Sequence, residues 1–164
     1  MFDWATKELK FSPDNVFVFG RSIGSGPACY LAQKRETKMT ILFSPYTTIR
    51  DVAKEHVSFF AYFLKNRFNN LKHIQGIVSP IFLVHGKIDQ VISVGHSERL
   101  FEAIKHNDKF MINPPHMTHN DFRIESDFIF PLKKFINDTV GMEIGKEGDY
   151  DMPNLNAIGK FRKH

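Results

Sequence analysis

Four short apolar segments divide this sequence, and they constrain its fold more than any other feature. The segments cover residues 16–19, 39–43, 81–84 and 110–112. They are rich in β-branched and aromatic side chains, which favour strands, and none of them alternates between apolar and polar residues. Continuous apolar runs of this length are typical of strands buried on both faces, as in a parallel sheet. We therefore predict four parallel strands.

The segments next to these strands have the composition and periodicity of helices. A first helix over residues 3–10 leads into the first strand, and the later helices are predicted over residues 25–35, 49–66, 93–105 and 122–138. Strand–helix alternation predicts an α/β fold in which each helix returns the chain to a parallel neighbour. We place this domain at residues 1–140. The polar residues 141–164, which lack periodicity, are predicted to form a tail.

The composition fits an ordinary globular domain. Of 164 residues, 42% are hydrophobic and 24% are charged, which excludes a disordered or fibrous chain. The net charge is +4, but most lysines and arginines are dispersed among acidic residues, so nucleic-acid binding is not expected. No apolar run is long enough for a membrane-spanning helix, the N-terminus lacks the features of a signal peptide, and Cys29 is the only cysteine. We expect an intracellular, cytoplasmic protein.

The strongest chemical signal is the sequence Gly20-Arg21-Ser22-Ile23-Gly24, which follows the first strand and precedes a helix. This is the G-x-S-x-G pattern of a nucleophile elbow, in which a sharp turn presents the serine at the carboxyl edge of the sheet. The flanking glycines are interpreted as room for neighbouring backbone. The backbone N–H of Ile23 is predicted to donate to an oxyanion. A glycine-rich turn that only packs the helix on the strand is the alternative.

A nucleophilic serine needs a base, and the base needs a carboxylate that orients it. Asp89 follows the third strand, although it could instead cap the next helix. Two histidines follow the fourth strand, His116 and His119. In this fold the partners follow the serine in the order acid and then base, and both loops end at the same edge of the sheet. Asp89 with His119 or His116 therefore completes a predicted triad.

Other reactive residues have simpler explanations. The His116-x-x-His119 spacing lacks the further ligands that a metal site needs, so no metal and no cofactor are expected. Cys29 is interpreted as a small core residue on the helix after the elbow, and His85 as a residue that packs or hydrogen-bonds locally. The aromatic stretch at residues 57–64 is predicted to form either core or the wall of an acyl pocket.

Several of these motifs together resemble a branch of the α/β hydrolases. They lie at residues 20–27, 43–46, 79–89 and 119–121. The branch contains the membrane-associated protein depalmitoylases of the α/β hydrolase domain-containing family and serine-peptidase-like hydrolases, and the similarity covers about residues 3–138. It implies Ser22 as nucleophile, Asp89 as acid and His119 as base, because the His-Asn-Asp run selects His119 over His116. The family usually has small residues before this histidine, whereas Met117 and Thr118 stand here.

The resemblance also implies that part of the domain is absent from this sequence. The family has an eight-stranded sheet with the nucleophile after the fifth strand, whereas Ser22 follows the first predicted strand. Residues 1–140 would then be the C-terminal part of an α/β-hydrolase domain. The absent strands would carry the second oxyanion donor and, in the depalmitoylases, a lipidated cysteine cluster that supports peripheral membrane association. Without those strands, residues 16–19 are expected to form an exposed apolar sheet edge.

The sequence thus predicts a serine hydrolase that cleaves carboxylic esters or thioesters, including acyl thioesters of lipidated proteins (depalmitoylation). A serine aminopeptidase-like hydrolase is the second interpretation. A catalytically inactive fragment or interaction module is the third.

Overall fold

A computed structural model of the chain describes residues 2–56 and 68–142. Its strands are β1 (Phe17–Arg21), β2 (Met39–Phe43), β3 (Ile81–Val84) and β4 (Lys109–Ile112). They form one sheet in the order β1-β2-β3-β4, and every neighbouring pair is parallel. The prediction of four parallel strands is confirmed. The aromatic stretch at residues 57–64, predicted to form core or a pocket wall, lies outside the described residues, as does almost all of the predicted tail.

Helices connect and follow the strands as the alternating pattern predicted. They are α1 (Phe2–Lys7), α2 (Ser25–Lys34), α3 (Ile49–His56), α4 (Asn70–His73), α5 (Gly95–Ala103) and α6 (Phe130–Phe135). Wider π-helical turns at Ile124–Ile129 and Ile136–Val140 flank α6. Helix α4 is absent from the sequence prediction because it is a single polar turn without periodicity. The Asn69 side chain caps it by accepting a hydrogen bond from the Lys72 N–H.

The sheet separates two apolar clusters. On one face the alternate strand residues Leu42 and Leu83 pack with residues of α2 and α5, including Cys29 and Leu100. The last helical segment comprises α6 and its two flanking π-helical turns, Ile124–Val140. On the other face the core consists of the intervening strand residues, Met117 from the loop after β4, and two residues of this segment: Met39, Ile41, Phe43, Phe82, Val84, Met117, Phe135 and Ile136. This three-layer arrangement is an α/β fold of mainly parallel sheet flanked by helices, as predicted.

Burial differs between the central and the edge strands. Every residue of β2 and β3 is buried, whereas Phe19 in β1 is 54% exposed and Phe110 in β4 is 41% exposed. The prediction of burial on both faces is therefore wrong for β1 and β4, since a strand with one neighbour is only partly covered. The expectation of an exposed apolar edge at residues 16–19 is confirmed at Phe19. None of the described helices is both long and apolar enough to cross a membrane.

Candidate active site

Ser22 occupies a strained turn at the carboxyl end of β1. The strand ends at Arg21, and Ser22 has φ of +50°, a conformation that residues other than glycine rarely adopt. A 3₁₀ turn over Ser22–Gly24 leads directly into α2, and the Ser25 hydroxyl donates a 2.7 Å hydrogen bond to the Ser22 carbonyl. Strain of this kind concentrates at functional sites, where the surrounding structure maintains it. The geometry is that of a nucleophile elbow.

The two elbow glycines differ in their surroundings. A Cβ at Gly20 would lie 2.6 Å from the Ala28 Cβ and 2.7 Å from the Gly24 carbonyl oxygen, so close packing of strand against helix requires glycine there. At Gly24 no atom lies within 4 Å of an added Cβ, and φ is −68°. Among the described residues this position therefore faces open space, and the role of Gly24 in making room for backbone stays a prediction.

The structure brings Ser22, His119 and Asp89 into one hydrogen-bonded chain. The Ser22 Oγ lies 3.1 Å from His119 Nε2, and His119 Nδ1 lies 2.7 Å from Asp89 Oδ2. His119 and Asp89 are each 8% exposed. Asp89 is on the loop after β3 and His119 on the loop after β4, so each side chain starts from the carboxyl end of a parallel strand. A serine, an imidazole and a carboxylate in this order can perform nucleophilic catalysis.

The Asp89 carboxylate is held in its ionised form. Burial by itself raises the pKa of Asp89, but hydrogen bonds from His85, from the Ile92 and Val91 backbone and from His119 lower the pKa well below its usual range. Asp89 Oδ1 accepts from the N–H groups of Val91 at 2.8 Å and Ile92 at 2.9 Å. The Asp89 side chain therefore caps its own loop and also orients His119.

The buried His85 side chain lies next to the Asp89 carboxylate. Its Nε2 lies 2.8 Å from the Ile92 carbonyl oxygen and 3.4 Å from Asp89 Oδ2, while its Nδ1 lies 2.6 Å from the Ser97 hydroxyl. Since a carbonyl oxygen only accepts, Nε2 carries a proton. The interpretation that His85 hydrogen-bonds locally is confirmed. Sequence reasoning did not connect it to Asp89.

The loop that carries His119 is packed tightly against the loop after β3. Gly86 lies so close to Met117 that an added Cβ would be 2.0 Å from the Met117 carbonyl oxygen. Met117 itself is fully buried. Two hydrogen bonds between Thr118 and Asp121 then close the loop. The Thr118 N–H donates to the Asp121 carbonyl oxygen at 3.0 Å, and the Asp121 N–H donates to the Thr118 hydroxyl at 2.9 Å. Met117 and Thr118, which depart from the family pattern, thus anchor the loop.

The alternative candidates, His116 and Cys29, have no hydrogen bond to Ser22 among the described residues. His116 Nε2 lies 3.0 Å from Asp127 Oδ2, and its side chain is 46% exposed. Cys29 is fully buried, and burial raises the pKa of its thiol to about 12. The structure therefore brings His119, and not His116 or Cys29, to the serine. No cluster of three or more potential metal-binding His, Cys, Asp or Glu residues occurs within residues 2–56 and 68–142.

Within residues 2–56 and 68–142, the space beside the triad is only partly covered. The Ile23 side chain is 66% exposed, and its backbone N–H belongs to the first turn of a helical segment, where N–H groups lack intrahelical partners. A small cavity of about 220 Å³ borders His119. A larger cavity of about 530 Å³ lies between β4 and the last helical segment, lined in part by Phe110 and Phe130, away from the triad.

Comparison with curated proteins finds relatives among the Alpha/beta hydrolase domain-containing proteins. The chain is 32% identical over 128 residues to Alpha/beta hydrolase domain-containing protein 17B of Homo sapiens, covering 76% of this chain and 42% of that protein. It is 29% identical over 129 residues to protein 17C of the same series from Mus musculus, covering 77% of this chain and 38% of that protein. The chain thus spans less than half the length of these relatives. No family model matches it.

Comparison with solved structures gives the same fold. The esterase domain of a Rhodothermus marinus protein matches with a TM-score of 0.60 at 17% identity, over 77% of this chain and 61% of that one. A Pyrococcus furiosus esterase matches with a TM-score of 0.63 at 17% identity, over 85% and 60%. A puromycin hydrolase matches with a TM-score of 0.67 at 15% identity, over 85% and 24%. At these identities the matches establish the fold.

Proposed function

We propose that the chain is part of an α/β hydrolase and that it supplies the catalytic residues of a serine hydrolase acting on carboxylic esters or thioesters. Its 32% identity to Alpha/beta hydrolase domain-containing protein 17B and its fold support this proposal. One observation carries the proposal: the contacts of 3.1 Å between Ser22 Oγ and His119 Nε2 and of 2.7 Å between His119 Nδ1 and Asp89 Oδ2. A serine that merely packed a turn would need neither a buried imidazole nor an ionised carboxylate behind it.

The first half of the reaction acylates Ser22. Ser22 Oγ attacks the carbonyl carbon of the substrate while His119 Nε2 takes the hydroxyl proton. Asp89 accepts the hydrogen bond from His119 Nδ1–H, which selects the tautomer whose Nε2 is free and stabilises the imidazolium that forms. The oxyanion of the tetrahedral intermediate accepts from the Ile23 N–H, at the positive end of the helical segment. The carbon–oxygen or carbon–sulfur bond then breaks, and His119 Nε2–H protonates the leaving group.

The second half releases the acid. A water molecule gives a proton to His119 Nε2 as its oxygen attacks the acyl carbonyl. The Ser22 ester bond breaks, and the proton returns to Ser22 Oγ. In this cycle His119 serves as base and acid in turn, and Asp89 stays ionised because its donors hold its pKa far below neutral pH. The described residues supply every proton transfer.

A fluorophosphonate probe, which phosphonylates activated serines, tests the proposal. We expect the wild-type chain to be labelled at Ser22, as located by peptide mass spectrometry, and Ser22→Ala to remain unlabelled. The His119→Ala variant should be labelled slowly, since the Ser22 hydroxyl is no longer activated. Ser12→Ala is the matched control and should be labelled like the wild type, because Ser12 is an exposed serine outside the triad. Labelling of Ser22→Ala at the wild-type rate would refute the proposal.

Within this reaction class, we propose acyl thioesters of lipidated proteins as the substrates. We also propose that the protein associates peripherally with membranes. Support comes from the sequence motifs shared with the depalmitoylase branch and from the similarity to Alpha/beta hydrolase domain-containing protein 17B. An S-palmitoyl peptide, a short p-nitrophenyl ester and an aminoacyl-amide should be compared as substrates. A kcat/KM that is highest for the palmitoyl thioester supports this class. A preference for the aminoacyl-amide would instead support the aminopeptidase-like interpretation.

A further inference from the structure

Arg21, the residue immediately before the nucleophile, connects the end of β1 to the loop of the base. Its Nη2 donates to the His119 carbonyl oxygen at 2.6 Å and to Asn120 Oδ1 at 3.0 Å. Its guanidinium carbon lies 5.6 Å from the ring centroid of Phe43 and 5.9 Å from that of Phe122. Arg21 and His119 are 98 positions apart in sequence. One side chain therefore links the strand that presents Ser22 to the backbone of His119.

Each contact restrains a different part of the His119 loop. The bond to the carbonyl oxygen holds the main chain of His119 itself, and the bond to Asn120 holds the next residue. The ring of Phe122, from the same loop, lies 4.9 Å from the ring of Phe43, and the cation of Arg21 lies close to both faces. A charged donor makes such bonds stronger than a neutral donor does. The loop is thus fixed relative to β1 and β2 at once.

The direct contacts within the triad do not do this. The hydrogen bonds of Asp89 and Ser22 to His119 both reach its imidazole ring, and they fix the tilt of the ring more than the position of the His119 Cα. A small displacement of the His119 main chain would change the 3.1 Å distance between Nε2 and Ser22 Oγ. Arg21 Nε is buried with no hydrogen-bond partner among the described residues, and burying such a polar atom destabilises the fold. A role in holding His119 would explain why an arginine occupies this position despite that cost.

We propose that Arg21 is a positioning residue of the hydrolase, which holds the His119 backbone in register with Ser22 through the guanidinium bond to the His119 carbonyl oxygen. The inference rests on the proposed function, since it assumes that His119 acts on Ser22. Arg21 is not proposed to touch the substrate. Its effect on the reaction passes entirely through His119.

A double-mutant cycle with His119 tests this directly. Hydrolysis of p-nitrophenyl butyrate by the full chain is measured for wild type, Arg21→Ala, His119→Ala and the double variant. We expect Arg21→Ala to lower kcat about 10- to 100-fold with little change in KM, since a misplaced base costs rate and not binding. In the His119→Ala background the same change should alter kcat less than about twofold, because the residue it positions is gone.

Two further variants keep the test decisive. Arg21→Lys retains one charged donor without the planar fork, so its kcat should lie between wild type and Arg21→Ala, and it replaces Arg21→Ala in the cycle if the alanine variant fails to fold. Millimolar guanidinium should partly restore kcat in Arg21→Ala. Arg35→Ala is the matched control, because Arg35 pairs with Asp3 on the surface; it should retain wild-type kcat and show no response to guanidinium.

The outcomes separate the two proposals. Equal loss of kcat from Arg21→Ala with and without His119, or a rise in KM at constant kcat, would overturn the positioning role. Full wild-type kcat in Arg21→Ala would overturn it as well. Full activity of Ser22→Ala would instead overturn the serine-hydrolase proposal, on which the positioning role rests.

Discussion

Replacing Gly86 with alanine is expected to displace the loop that carries His119. The new Cβ would lie 2.0 Å from the Met117 carbonyl oxygen and 2.5 Å from the Met117 carbonyl carbon. Cβ atoms in proteins essentially never approach other atoms within 3.0 Å, so the two loops must separate by about 1 Å. The obstacle is backbone, which cannot rotate away as a flexible side chain does. Met117 is two residues before His119, so His119 moves with it.

The magnitude follows from these contacts. Overpacking a close-packed site costs about 1–3 kcal/mol, and the upper value applies here because Met117 is fully buried. The Ile88 N–H also donates to the same Met117 carbonyl, at 3.3 Å, and this bond would be strained. About 3 kcal/mol corresponds to a Tm lowered by roughly 6–12 °C in a domain of this size. Misplacing His119 by about 1 Å is expected to lower kcat about 100-fold.

Gly95→Ala provides the matched control. The nearest atom to a Cβ at Gly95 is the Ser93 Oγ at 3.5 Å, an ordinary contact. Alanine there should leave kcat unchanged and raise the free energy of unfolding by about 0.4–1 kcal/mol, through lower entropy of the unfolded chain. Thermal unfolding by circular dichroism and p-nitrophenyl butyrate hydrolysis measure both variants. A Gly86→Ala protein with wild-type Tm and kcat would refute the described packing of the two loops.

Three further predictions concern the acid, the thiol and the second histidine. Asp89→Asn should lower kcat by the order of 10⁴-fold, because an amide cannot hold the imidazole in the required tautomer. Because the pKa of Asp89 is lower in the folded chain, its ionisation stabilises the fold above pH of about 4 and that contribution is lost as the pH falls further; urea titrations of Asp89→Asn should lack this acid-side loss. Cys29, with a pKa of about 12, should react with Ellman's reagent only after unfolding, and rapid reaction of the native chain would contradict its burial. His116→Ala should retain kcat within about twofold and lose about 1 kcal/mol or less of stability, since its contact to Asp127 is half-exposed, whereas a large loss of kcat would reopen its role as the base.

Local sequence patterns were sufficient for the four strands, for most of the helices and for the turn at Ser22. A continuous apolar run makes a buried strand favourable wherever it stands in the chain, so residues 39–43 and 81–84 were predicted with the bounds that the structure has. The G-x-S-x-G pattern likewise describes one local turn, and Ser22 has the strained backbone that such a turn requires. Asp89 and the histidine pair His116 and His119 follow from chain order, because the ends of parallel strands meet at one edge of the sheet.

Only the tertiary structure decided the contacts between segments that are far apart in the chain. The exposure of Phe19 and Phe110 depends on which strands lie at the edges of the sheet, and the apolar character of a strand does not indicate its position in the sheet. The residues alone left His116 beside His119 as the base, and the structure turns His116 to Asp127 instead. The bond from Arg21 to the His119 carbonyl joins positions 98 apart. The sequence determines which residues form each turn and which avoid water, whereas packing of the loops against one another determines which atoms meet.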